Sequence, residues 1–178
     1  PLFSGSYKTE VLSTDEALKE LLIDKKIRSF AWNKLYDREL FEHVDFPVGK
    51  KYEDIATTYK FFMECGKIAC GYKSQYFYML RSSSIVYQKF NMKKLELLEM
   101  TDIMARDVLK EYPQLKIAVQ RRQLYARFST LNQFQNVSGY KNEKKELISY
   151  IRKNKGCVLG NPKAPRRDKL AVMALSMG

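Results

Sequence analysis

Apolar positions recur with helical spacing along most of this chain, broken by turn residues and two short runs of strand character. Ser13-Thr14-Asp15-Glu16 reads as a capping box, with Ser13 as N-cap and Glu16 three residues on. Ala17, Leu18, Leu21 and Leu22 behind it share one helical face. A short apolar piece runs from Ile27 to Trp32, and Asp37 is placed to cap a brief helix from Arg38 to Glu42. Phe46-Pro47-Val48-Gly49 predicts a turn, because proline fixes φ and glycine permits a positive one. Glu53-Asp54 then opens a predicted helix whose positions Ile55, Tyr59, Phe62 and Cys65 share a face and which stops at Gly66. Strand-like pieces follow at Lys67 to Cys70 and Tyr76 to Leu80.

The second half changes character. Leu97, Leu98, Met104, Ala105, Val108 and Leu109 predict a helix within Asn91 to Tyr112, stopped by Pro113. Another is predicted over Leu115 to Val137, with Leu124, Phe128 and Leu131 inward, and two more over Asn142 to Lys155 (stopped by Gly156) and Asp168 to Met177. No internal repeat or low-complexity linker appears. The expected class is therefore α/β and helix-rich: an α/β portion over residues 1–89 joined to a helical region over 90–178, without an obvious hinge.

Composition narrows the possibilities. At 178 residues with 45% apolar content the chain can bury a core, which excludes global disorder. No apolar run approaches the roughly 20 residues that span a bilayer, and PLFSGSYK lacks the regions of a signal peptide. The loop-like start without Met reads as a piece of a longer protein. Cys65, Cys70 and Cys157 lack metal-ligand spacing, the only histidine is His43, and small buried hydrophobes are the preferred reading of the thiols over a Cys–His nucleophile. Free thiols place the chain in a reducing cytoplasm.

The net charge of +12 calls for an acidic partner. From Lys141 onward there are ten Lys or Arg against three acidic residues. Such a stripe is ordinarily a solvated face; attraction to an anionic membrane surface, peripheral on the inner face, is its second reading. Nucleic-acid binding fits the charge but finds neither a helix-turn-helix signature nor an RNP-type strand pair, so it is disfavoured.

Among candidate chemical groups the Glu53-Asp54 pair stands out. Acidic residues in a first helical turn ordinarily cap free N–H groups and oppose the helix dipole. The other reading is acid–base chemistry, which requires one ionised carboxylate within about 3 Å of a substrate hydroxyl.

The segments WNKLYDRELF, FPVGKKYEDIATTYKFF and YFYMLRSSSI, in this order and spacing, resemble the second half of a bacterial family 2 glycosyltransferase. There a W-N-K-L-Y segment precedes F-x-x-G-x-x-Y-E-D and then Y-x-Y…R-x-x-S-I, matched here by Trp32 to Tyr36, Phe46 to Asp54 and Tyr76 to Ile85. The likeness covers Ser13 to Phe90; beyond that it is a general one to the helical tails of capsule and wall-polysaccharide enzymes. It implies the C-terminal, acceptor-side half of a GT-A (Rossmann-like) domain followed by a helical tail, and inverting transfer from a nucleotide-diphosphate sugar to a saccharide or lipid-linked acceptor. On that resemblance Asp54 is the general base and Glu53 orients the acceptor or the helix start. Lys34 and Arg81 stabilise the departing diphosphate, or else hydrogen-bond within the fold. Ser84 bonds a phosphate or caps a turn, and Trp32 is core or a pocket wall that can stack on a sugar ring.

The family's Asp-x-Asp, which holds Mn²⁺ or Mg²⁺ with the diphosphate, occurs nowhere in these 178 residues, and no glycine-rich phosphate turn is present. The resemblance therefore implies a metal-dependent full-length enzyme of which this chain, lacking the donor-binding half and any metal ligands, is inactive in isolation.

Overall fold

The computed structural model describes residues 8–73, 75–79, 90–134, 137–161, 164 and 166–177. Among these residues it is helix-rich with one small sheet. Strand β1 (Thr9–Ser13), which the sequence reading did not anticipate, leads directly into helix α1 (Thr14–Ile23) and pairs antiparallel with β2 (Lys67–Gly71) in the register Ser13↔Lys67. The capping box forms as the sequence indicates: the Ser13 N–H donates to Glu16 Oε2 at 3.0 Å, and the Ser13 hydroxyl donates to the same oxygen at 2.8 Å. These bonds hold the Glu16 carboxyl below its ordinary pKa. Thr14 Oγ1 donates to the carbonyl of Cys65, joining the start of α1 to the start of the β2 segment.

Between α1 and β2 the chain makes a 3₁₀ turn over Arg38–Glu42, where the Asp37 side chain accepts from the Glu39 N–H at 3.1 Å, and then helix α2 (Thr58–Glu64). Gly49 takes φ +76°, as the Pro-x-Gly turn requires. The helix expected to open at Glu53-Asp54 begins at Thr58 instead. Residues 53–57 form a chain of tight turns in which the Asp54 side chain accepts from the next amide, and Tyr52 ahead of them takes φ +59°. The expected apolar face survives the shift: Ile55, Tyr59 and Phe62 are buried. Gln75–Met79 carries no strand pairing, unlike the second strand-like piece anticipated there, and Leu80 lies outside the described residues.

The second half is helical: α3 (Glu96–Glu111), α4 (Lys116–Gln133), α5 (Lys141–Lys153), α6 (Gly156–Leu159) and α7 (Arg166–Met177). Gly156, expected to stop α5, opens α6; Asn154 ends α5 with its N–H on the Tyr150 carbonyl. The main core joins Ala17, Leu18, Leu21 and Leu22 of α1 and Tyr59 of α2 to Met100, Met104 and Val108 of α3 and Val119 of α4. It thus draws on residues from both sides of position 90. A second core behind α4 holds Leu124, Ile151, Cys157, Val158 and Val172. Helix α4 lies between the two, so it buries Arg122 and Arg127 along with its apolar residues. Each guanidinium is matched by a carboxylate: Arg127 grips Asp102 bidentately at 2.7 and 2.8 Å, and Arg122 Nη1 sits 2.8 Å from Asp24 Oδ2. Among the described residues no helix is long and apolar enough to cross a membrane.

Candidate functional site

Asp54 is set by the turns that replace the expected helix start. Its carbonyl accepts from the N–H groups of Thr57 (3.3 Å) and Thr58 (2.9 Å), anchoring it to the first residue of α2. Its Oδ1 accepts from the Ile55 N–H at 2.8 Å. The approach to this turn is held from α3, where Glu96 Oε2 accepts from the Lys51 N–H at 2.6 Å and Glu99 pairs with Lys50 at 3.0 Å. The carboxyl is half-buried, and desolvation raises its pKa above the ordinary carboxylate value. The Ile55 N–H and the Arg122 guanidinium pull it down, and the charges of Glu53 and Asp24 push it up. Asp54 is neither a helix cap nor a freely solvated acid. Glu53, beside it, is exposed.

Lys34 enters the same electrostatic neighbourhood from the preceding loop. Asn33 takes φ +62°, and this bend lets Lys34 Nζ turn back to donate to the carbonyls of Arg28 (2.8 Å) and Phe30 (2.6 Å). Burial lowers its pKa to about 8, while the Asp54 charge acts in the opposite direction. Because the folded value lies below the 10.5 of an exposed lysine, the fold disfavours the charged form. Stability carried by this group should therefore rise as pH climbs from about 8 towards 10.5, where the unfolded chain holds more protons. A side-chain ¹⁵N titration should find one lysine with a midpoint near 8, and that resonance should vanish in Lys34→Met.

Tyr36 and Tyr52 complete the surroundings, their phenols raised mainly by burial and further by the Asp54 charge. The helical half contributes Arg122, whose ion pair with Asp24 lies beside the turn; Arg122 Nη2 also donates to Ser29 Oγ at 3.4 Å. The sequence reading missed Arg122, Asp24, Tyr36 and Tyr52. Both tyrosines lie within the quoted segments, whereas nothing local distinguishes Arg122 from the other cations of α4.

Trp32 stands in an aromatic stack, with ring centroids 4.3 Å from Phe30, 4.7 Å from Tyr76 and 5.1 Å from Tyr78, all nearly parallel. Arg81 and Ser84 lie outside the described residues. The three thiols are shifted upward by burial, opposite to what a thiolate nucleophile needs. Depressions of about 400 and 220 Å³ open elsewhere, one against Lys145, Tyr150 and Lys153 and the other against His43, Tyr59 and Asp107. Neither is lined by Asp54.

No protein-family model matches this chain, and no curated protein or solved structure matches it either.

Proposed function

We propose that this chain is the acceptor-side part of an inverting glycosyltransferase, a C-terminal portion of a GT-A domain with a helical tail, in which Asp54 is the general base. The observation that carries the reading is the state of Asp54. One oxygen is fixed by the Ile55 N–H, the carboxyl is half-buried, and its pKa is raised, which makes it a better base than a helix-capping aspartate. Its place at the end of the second of three ordered segments (Trp32 to Tyr36, Phe46 to Asp54, Tyr76 to Ile85) supplies the chemistry by resemblance.

In that chemistry Asp54 takes the proton of an acceptor hydroxyl as the oxygen attacks the anomeric carbon. The new C–O bond forms on the face opposite the nucleotide. The bond to the diphosphate breaks, and the leaving group departs with the electron pair. Glu53, exposed next to the base, is placed to orient the acceptor. Lys34 spends two of its N–H groups on backbone carbonyls, so its contribution is a local positive field near Asp54, and Arg81 and Ser84 keep the diphosphate role the resemblance gives them. Trp32 and its stacked rings suit the wall of a sugar site.

The divalent ion the resemblance implies does not fit the residues present. The sequence has no Asp-x-Asp, and no group of three or more His, Cys, Asp or Glu is arranged for a metal among the described residues. On this reading donor binding, with any ion that accompanies it, falls to sequence outside these 178 residues.

The test is the stereochemistry of transfer by the intact protein. Nucleotide-diphosphate sugars are offered with saccharide acceptors, and product anomeric configuration is read by NMR. Inversion is expected. Retention of configuration, or an upstream coding sequence lacking both β-α alternation and an Asp-x-Asp, would remove the proposal.

A further inference from the structure

Helix α7 is apolar on two opposite faces. Its inner face sets Val172, fully buried, and the partly buried Leu175 against the second core. Its outer face carries Leu170, 63% exposed, Met173, 42% exposed, and Ala174, also exposed. A helix with its inner stripe already satisfied has no folding reason to display a second one.

The charges around that outer face are one-sided. Arg166 and Arg167 are exposed in the first turn. The one acidic residue of α7, Asp168, is turned away from the outer face and lies 3.5 Å from Arg121 of α4, with Arg167 Nε also 3.3 Å from it. At the other end Arg152 of α5 donates from Nε to the Leu175 carbonyl at 2.5 Å, bringing a third guanidinium to the C-terminal end of α7. Exposed Lys153 and Lys155 follow Arg152 in sequence.

From this arrangement we infer that the outer face of α7 is a docking surface for an anionic lipid bilayer, with Leu170 and Met173 entering the interface and the arginines at the two ends contacting acidic headgroups. Apolar side chains between long cations suit an interface that offers hydrocarbon below and phosphate above, since the arginine stems lie along the apolar layer while their heads reach outward. Nucleic acid offers the anions and has no use for Leu170 at the centre of the contact. The inference is independent of the glycosyltransferase reading: it concerns a different face and needs no catalytic residue.

Co-sedimentation of the full chain with vesicles tests it, using phosphatidylcholine alone or with about 30% phosphatidylglycerol, at roughly 0.1 M salt. Binding is expected to the anionic vesicles and not to the neutral ones. Leu170→Gln/Met173→Gln should lower partitioning by about tenfold while leaving every formal charge in place. Arg166→Gln/Arg167→Gln should lower it by about thirtyfold at that salt. Both pairs face outward, so unchanged circular dichroism and thermal midpoints are expected, and a variant that fails this check is replaced by the single Leu170→Gln. The proposal is overturned by equal binding to neutral vesicles or by no binding to anionic ones. Full binding by the Leu170→Gln/Met173→Gln variant also overturns it. So does a light-scattering dimer that the same variant dissolves, or an RNA or DNA duplex bound more tightly than the vesicles and unaffected by that variant.

Discussion

Under the proposed general-base role, exchange of Asp54 for Asn in the intact protein should cut sugar transfer by about 10²–10⁴-fold, the range over which a positioned general base acts. The substitution is nearly isosteric, and the Asn oxygen can still accept from the Ile55 N–H, so the turn should persist. A companion effect separates this role from a structural one. Burial raises the folded pKa of Asp54 above its unfolded value, so the ionised carboxylate opposes folding. That opposition sets in as pH rises through the unfolded value and is complete above the folded one. Asp54→Asn should therefore melt higher than the parent at neutral pH, with the gain disappearing below the ordinary carboxylate range. Lost transfer with gained neutral-pH stability is the signature of a carboxylate kept for chemistry. Transfer within tenfold of the parent would exclude Asp54 as the base, and a loss of stability at neutral pH would make it a structural tie.

The second large effect concerns Arg122, whose side chain is 7% exposed and whose Nη1 lies 2.8 Å from Asp24 without an aligned hydrogen bond. Asp24→Asn keeps a residue type that tolerates the φ of +57° found at the end of α1, yet removes the counter-charge. A buried guanidinium left without its anion should cost about 2–3 kcal/mol, less than a fully enclosed pair because water reaches the Asp24 side. For a chain of this size that lowers Tm by roughly 4–12 °C. Asp24→Asn/Arg122→Met should recover at least half of the loss, since an apolar side chain of similar length needs no partner. If the double variant is as unstable as the single one, the pair is not what holds α4 against the end of α1. Because Arg122 and Asp24 act in opposite senses on Asp54, and Arg122 the more strongly, the double variant is also expected to change its titration less than Arg122→Met alone.

These two residues mark the limit of what can be read from the chain. Local signals were legible where neighbours in sequence decide the structure. Ser13 and Glu16 form their reciprocal cap, Asp37 caps its short turn, and the apolar face of α1 is buried where its spacing places it. The start of α2 was not legible, because the bond between the Asp54 side chain and the next amide competes with helix initiation and leaves no mark in hydrophobic periodicity. Strand β1 was missed because a five-residue strand gains its meaning only from its partner, 54 to 62 positions away. The matching of Arg122 with Asp24 and of Arg127 with Asp102 is likewise a property of packing between helices. At the candidate site, Asp54 and Lys34 could be picked out from the ordered segments, but their shared environment depends on a turn at Asn33 and on an arginine some 70 residues further along.

Helix α4 has two dependants. Val119 closes the core under α1 and α3, and Leu124 closes the one under α5, α6 and α7. A chimera that grafted a foreign tail at position 90 would strip Leu18 and Leu22 of their cover and remove Arg122 from the neighbourhood of Asp54. A joint placed after Gln133 would leave both in place and exchange only the outer helices. Any natural reshuffling of tails in chains built this way should carry its seam there.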